Sequence, residues 1–460
     1  MLERLFRLRE QRASVGTEVV AGLTTFMVMA YIIFVNPAIL SFAGIKGLQG
    51  LGPAFAPTLA ATCLVAGSMT ILMGIAANYP LAIAPGMGLN AVVAFQMVAG
   101  MRLPWPAAMG VIFLEGVLIA TLVLTGFREA VMDAIPLSLK RSISVGIGLF
   151  ILFIGLVSGG YVKPGTGIPV TLGDFTSIPT LVSVVGLLLT ITLMVRRVRG
   201  ALLLGILLTT AAAVLLNALS GYTAFGTPGM AVIPKEVVGL PDFSTLGKGL
   251  NLTVFAHLGF LSAVLTVFSI MLADFFDTMG TVIGIGGEAG WLDGRGRLPR
   301  LNRVLLIDSL GAVFGGAASS SSATTYIESA AGVSEGGKTG LTSVVTGVCF
   351  LLALFFAPVA GIVPPQATSA ALIVVGFLMC AIVKDIPFHE FEEGFPALMT
   401  IVFMPFTYSI TNGIGAGFIT YAFLKVARGK APEVHWMLFL AAAAFLVYFL
   451  LPLLKATFGL

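Results

Sequence analysis

Long apolar runs, interrupted at a few places by Pro, Gly and single polar residues, dominate the pattern of this chain. In the first half they cover roughly Val19 to Leu40, Pro57 to Ala77, Trp105 to Thr125, Ile143 to Val157, Ile178 to Val195 and Ala201 to Leu219. A Gly- and Pro-rich stretch, Ser220 to Leu250, marks a boundary. The runs resume at Leu258 to Ile285, Val304 to Ala317, Leu341 to Val363, Ala370 to Val383, Phe395 to Ser409 and Ile414 to Val426. Many approach the roughly 20 apolar residues that cross a bilayer as a helix. A last run, Trp436 to Leu454, fits either an interfacial helix or an additional span.

Two further segments are apolar but broken. Tyr79 to Gln96 (YPLAIAPGMGLNAVVAFQ) holds a Pro/Gly break, then Asn90, then an apolar helix. Ser319 to Gly332 (SSSSATTYIESAAG) holds a run of hydroxyls, then Glu328, then a short helical stretch. A gapless alignment sets Pro85 over Ala323 and Asn90 over Glu328. The repeat recurs where Pro136 through Gly148 lies over Pro364 through Gly376. The pattern predicts an all-α polytopic membrane protein of seven plus seven spans, with residues 1–219 and 251–430 as the repeats. Residues 220–250 link them, and 431–460 form a C-terminal apolar segment. An odd number of spans per repeat makes the halves antiparallel, the arrangement used by alternating-access carriers.

Composition agrees with that reading. Of 460 residues, 58% are hydrophobic and 10% charged, and the mean hydropathy is +1.04, whereas a soluble chain carries about 25% charge. The formal charge of +4 is small; its distribution says more. With the N-terminus in the cytoplasm, the inside receives the basic residues from Arg4 to Arg12, Arg128, Lys140, Arg141, Arg196 to Arg199, Arg295 to Arg303, Lys338, Lys384 and Lys425 to Lys430. Only Lys46, Arg102, Lys163, Lys235 and Lys248 fall outside, a positive-inside bias that predicts a multi-pass protein of the cell's inner (plasma) membrane. The N-terminal stretch MLERLFRLREQR shows no cleavable signal. Cys63, Cys349 and Cys380 sit in apolar runs at no metal-like spacing and read as packing residues. No cofactor, metal or nucleic-acid partner is expected, and a homodimer is compatible with the chain.

The residues able to carry chemistry are polar groups in apolar surroundings, where each needs a partner or a purpose. Asp274 and Asp277 lie three apart on the eighth span, close to one helical face. Either could carry a proton, with Asp274, deeper from the cytoplasmic end, the likelier carrier; Asp277 is equally read as a brace to a neighbouring helix. Glu328 begins a half-helix and is either a ligand group or a cap. Asn90 offers a donor and an acceptor. Glu115 and Asp308 are expected to brace helix against helix. His257, His389 and His435 lie near membrane ends. Gly284-Ile285-Gly286 and Gly413-Ile414-Gly415 lack the strand-to-helix setting of a nucleotide loop. With no nucleophile–base or metal constellation, an enzyme is not expected.

Four motifs in order, G-L-T-T-F-M-V-M-A-Y-I-I-F-V-N-P (Gly22 to Pro37), A-P-G-M-G-L-N (Ala84 to Asn90), A-D-F-F-D-T-M-G-T (Ala273 to Thr281) and T-T-Y-I-E-S (Thr324 to Ser329), resemble the AzgA-like purine permeases of the nucleobase–cation symporter 2 group. The resemblance implies core and gate domains and two discontinuous spans, each with a short strand and a half-helix. It implies a substrate site at Asn90, Asp274 and Glu328, with Asp277 accessory. Met87, Phe275 and Tyr326 are expected to wall the pocket, and Gly88, Thr325, Ile327 and Ser329 to border it. The expected function is import of adenine, guanine or hypoxanthine by proton symport, with Asp274 or Asp277 coupling and sodium the less favoured ion. A small-anion carrier on the related fold and a channel are the alternatives; the acidic site and the broken helices speak against them in turn.

Overall fold

The computed structural model describes the chain except residues 1, 44, 46, 127–133, 226–229, 235, 293–297, 459 and 460, so Lys46, Arg128, Lys235, Arg295 and Arg297 lie outside the described residues. Among those described, ten helices are long and apolar enough to cross a membrane. They are spans 1 (Val15–Leu40), 2 (Phe55–Ala77), 4 (Trp105–Thr125), 5 (Leu137–Ser158), 6 (Ile178–Val195) and 7 (Ala201–Leu219) of the first half. From the second half come spans 8 (Phe260–Gly287), 9 (Leu301–Ala318), 11 (Gly340–Ala360) and 12 (Pro365–Asp385). Spans 3 and 10 are the broken elements, and Phe391–Thr407 and Ile410–Ala427 complete fourteen as spans 13 and 14. Spans 5 and 12 begin five or six residues earlier than hydropathy suggests. Pro136 and Pro364 stand at their N-caps, where the missing N–H costs nothing. The C-terminal run forms one helix, Trp436–Phe458, with Phe445 edge-on to Phe418 of span 14.

The spans sort into two bundles, each drawing on both halves. Spans 1–4 pack with 8–11 as the core, and spans 5–7 with 12–14 as the gate. Residues equated by the repeat meet in pairs. Gly148 and Gly376 lie face to face, and a Cβ on Gly376 would stand 2.5 Å from the Gly148 carbonyl oxygen, so spans 5 and 12 approach backbone to backbone. At the centre of the core, strand β1 (Ile83–Pro85) pairs antiparallel with β4 (Ala323–Thr325), and Pro85 faces Ala323. Two short outer strands, β2 (Val162–Lys163) and β3 (Thr171–Leu172), form the other pair.

The central strands explain the polar composition of the broken spans. Pro80 and Pro85 prevent a continuous helix, and extended backbone in hydrocarbon must find hydrogen bonds outside its own segment. Strand pairing supplies part. The Thr70 hydroxyl accepts from Ile83 N and donates to Ile83 O, both at 2.9 Å, while Ser329 Oγ accepts from Ala82 N at 2.9 Å. Asn36 Nδ2 donates to Ser320 O at 3.0 Å, and Ser343 Oγ stands 2.8 Å from both Tyr79 O and Leu81 O, with its one proton available to either. Ser319 and Ser321 take left-handed backbone angles, φ 66° and 74°, that turn the chain from span 9 into β4. After β1 a half-helix runs through Met87–Ala91 and widens into a π-helix, Val92–Gly100; after β4 comes Ser329–Ser334. The half-helix starts later in the second copy, so Asn90 is one turn inside its helix while Glu328 stands at an N-cap.

A buried carboxylate fixes the end of span 11. Glu18 of span 1 accepts from Lys338 N at 3.0 Å, Thr339 N at 3.3 Å, Thr342 N at 3.2 Å and Thr342 Oγ1 at 2.6 Å. Thr342 N also reaches Thr339 O at 3.3 Å, but the Lys338 and Thr339 amides, at the entry to the helix, have no other partner among the described hydrogen bonds. Glu18→Ala orphans them and is expected to cost about 3 kcal/mol, since each unmet buried donor costs about 1–3 kcal/mol. Thermal unfolding in detergent measures the loss.

Candidate functional site

Between β4, the half-helix after β1, span 8 and the gate lies a cavity of about 80 Å³. Glu328, Tyr326, Ile327 and Thr325 line it from one side and Gly86, Met87 and Gly88 from another. Asp277 and Thr281 of span 8, Tyr31 of span 1, and Val375 and Met379 of span 12 complete the wall with Thr324. Core and gate thus both contribute. Met87, Gly88, Thr325, Tyr326, Ile327 and Glu328 thus line one cavity.

The carboxylate of Glu328 is held from behind. The Tyr31 hydroxyl donates to Glu328 Oε1 at 2.6 Å, and although Glu328 occupies an N-cap position its side chain makes no capping bond. Tyr326 is fixed too, its hydroxyl donating to Pro85 O at 2.5 Å, which ties the ring to the opposite strand. Asp277 makes no hydrogen bond among the described residues and faces the cavity. An oriented carboxylate, a second free one, an aromatic wall and a helix start make a site for a flat, neutral molecule rich in N–H donors.

Four expected residues lie elsewhere. Asp274 is off the cavity, because one turn of span 8 separates it from Asp277 by about 4.5 Å along the axis, and its Oδ2 lies 3.1 Å from Ser322 Oγ. Ser322 Oγ is also 2.7 Å from Glu115 Oε1. Ser329 is spent on Ala82 N, Phe275 packs edge-on to Phe276 at 5.6 Å, and Asn90 is buried with both amide atoms unpartnered. Of Asn90, Asp274 and Glu328, therefore, only Glu328 lines the cavity, which corrects the expectation that the three converge there. Asp308 braces as expected: its Oδ1 accepts from Thr325 N and Thr325 Oγ1, each at 2.7 Å, and its Oδ2 from Thr278 Oγ1 at 2.6 Å.

Sequence reasoning missed Tyr31, Gly86, Thr281, Thr324, Val375 and Met379. Tyr31 carried a signal, being a phenol inside the first apolar motif at the bend between Val15–Met29 and Ile32–Leu40, and buried to 1% exposure. A larger cavity of about 640 Å³ between Leu118, Phe268 and Trp436 has nearly all-apolar walls, which leave a polar ligand's donors unmet.

The profile of the permease family Xan_ur_permease matches residues 16–416. The chain is 40% identical to the adenine permease AdeQ of Escherichia coli strain K12, over 96% of this chain and 95% of that protein. It is 38% identical to the guanine/hypoxanthine permease PbuG of Bacillus subtilis strain 168, over 98% and 99%. Among solved structures it is similar to the transmembrane domain of the cyanobacterial bicarbonate transporter BicA, with TM-score 0.60 at 15% identity over 87% of this chain and 96% of that one. Murine Slc26a9 in its inward-facing state matches with TM-score 0.63 at 12% identity over 90% and 68%. The shared fold is the seven-plus-seven inverted repeat.

Proposed function

Because this chain belongs to the permease family Xan_ur_permease, and is thus a multi-pass membrane transporter and no enzyme, we propose that it imports purine nucleobases: adenine, guanine or hypoxanthine. Relatives of similar identity named for those bases support the reading. The observation that carries it is the cavity in which Tyr31 orients Glu328 opposite Asp277. A purine presents ring N–H donors that a carboxylate accepts and a face that Tyr326 can cover. The anion reading, which the fold of BicA keeps in view, is disfavoured because the cavity is lined by two carboxylates and, among the described residues, no cationic side chain.

In this reading the base binds between core and gate, and the two bundles move against each other to expose it to either side in turn. The polar ties between the bundles include Gln96, which donates to Thr411 Oγ1 at 2.7 Å and accepts from Ile410 N at 2.8 Å, and the Arg199–Glu335 pair at 2.5 Å. Residues 1–219 and 251–430 are the two repeats, the N-terminus is cytoplasmic and the membrane is the inner one. A proton is the coupling ion, held by Asp274, and Asp277 contacts the base.

Uptake of labelled adenine, guanine, hypoxanthine, xanthine and uracil by cells lacking their own permeases tests the proposal, and uptake of none of the purines overturns it. Tyr31→Phe removes one donor to Glu328 and nothing from the packing. It is expected to weaken purine binding about three- to tenfold, the worth of about 0.5–1.5 kcal/mol, with an unchanged unfolding temperature. Titration calorimetry on purified protein gives both arms of that comparison.

A further inference from the structure

Three buried carboxyl groups lie behind the cavity, and their donors are unevenly shared. Asp308 has three donors, Thr325 N, Thr325 Oγ1 and Thr278 Oγ1. Thr278 is itself 2.5 Å from Thr324 Oγ1, so the threonines form a relay directed at Asp308. This carboxylate can hold a full negative charge. Glu115 and Asp274 have one donor between them: Ser322 Oγ stands 2.7 Å from Glu115 Oε1 and 3.1 Å from Asp274 Oδ2. A hydroxyl carries one proton and can donate only once. The second contact is a hydrogen bond only if a carboxyl proton points back at the serine oxygen. Glu115 Oε2 and Asp274 Oδ1 are both buried and unpartnered, and both residues are 0% exposed. Two negative charges sharing a single donor, beside a third at Asp308, would stand in hydrocarbon largely uncompensated.

Among the described residues the groups facing this pair are all acidic or neutral: Asp308 from span 9, Asp277 from span 8 and Ser322 at the start of the β4 segment. We propose that Glu115 and Asp274 hold one proton between them across Ser322, and that this pair, outside the base cavity, is the proton site that transport loads and empties. Glu115, on span 4, is thereby part of the coupling machinery as well as a brace. The link to the base is short. Ser322 O accepts from Gly86 N at 2.8 Å, and three residues on, Thr325 begins the segment that ends at Glu328. Which carboxyl receives the Ser322 proton therefore acts on both strands that frame the cavity.

This inference rests on proton coupling as proposed above, and the test separates the two. Infrared spectroscopy of the purified protein at neutral pH is expected to show the C=O stretch of a buried protonated carboxyl. Glu115→Gln and Asp274→Asn should each remove or displace that band. Calorimetric titration with hypoxanthine, at a pH alkaline enough to abolish that band and in two buffers of different ionisation enthalpy, should show proton uptake in the wild type and a loss of at least 80% of it in Glu115→Gln, with base affinity within threefold. A band unaffected by Glu115→Gln, or full proton uptake in that variant, overturns the shared proton. No proton uptake by the wild type overturns the coupling reading, and the infrared comparison still decides the pair. Ser322→Ala keeps both carboxyls and removes only the bridge. The band is expected to shift, and an unshifted band counts against the bridge even if Glu115→Gln does not fold.

Discussion

Glu328→Gln is expected to reduce purine affinity by about 10- to 100-fold or more, the largest effect of any single substitution in the cavity. The carboxylate accepts from Tyr31 on Oε1, which leaves Oε2 and the remaining lone pairs for ring N–H groups of the base. Glutamine replaces an acceptor with an NH₂ donor. One of two things follows: the amide meets a ring N–H donor to donor, or it turns over and meets the Tyr31 hydroxyl. Hydrogen bonds to charged groups are worth about 1.5–3 kcal/mol, and a buried group left without its partner costs about 1–3 kcal/mol. At about 1.4 kcal/mol per factor of ten, that is the expected loss. Glutamine has nearly the same volume, so the fold should persist. Titration of hypoxanthine, guanine and adenine into the purified variant, with unfolding temperature as control, checks it; wild-type affinity in a folded variant removes Glu328 from the base site.

The helices were legible in the sequence because their cause is local. Spans 6 and 7 run Ile178–Val195 and Ala201–Leu219 as the hydropathy pattern places them, since an uninterrupted apolar run in a bilayer has no alternative to a helix. The inverted repeat was legible through shared breaks, and the pairs Pro85–Ala323 and Gly148–Gly376 meet in space. The site was legible only where it is local to a motif. Met87, Gly88 and Thr325 to Glu328 are consecutive with the breaks and could be named from them. Tyr31 stands in a motif of its own but reaches Glu328 across 297 positions, which the sequence does not show, and Val375 and Met379 come from the gate, where nothing in their own neighbourhood marks them. The face of span 8 was the harder matter. Asp274 and Asp277 satisfy the same motif, and only the pairing of β1 with β4 decides that Asp277 meets the cavity while Asp274 meets Ser322.

That division of span 8 yields the second large effect, a separation of binding from coupling. Asp277→Asn is expected to weaken base binding about tenfold while uptake still rises as external pH falls. It removes an acceptor that faces the cavity, and leaves the Glu115–Ser322–Asp274 contacts in place. Asp274→Asn is expected to do the reverse. The base still binds, but uptake loses its pH dependence and its sensitivity to a protonophore, because an amide beside Ser322 cannot take up and release a proton. The order expected from sequence, in which Asp277→Asn is the milder change, then holds for coupling and not for affinity. Sodium should make no difference in either variant or in the wild type. A hard cation requires several oxygen ligands in a cage, whereas one buried carboxyl suffices for a proton. Uptake across pH 5 to 8 with and without sodium, alongside calorimetric affinity for each variant, separates the roles. If Asp274→Asn keeps the wild-type pH profile, or if Asp277→Asn abolishes it at unchanged affinity, the proton is held on the cavity wall and the two assignments exchange.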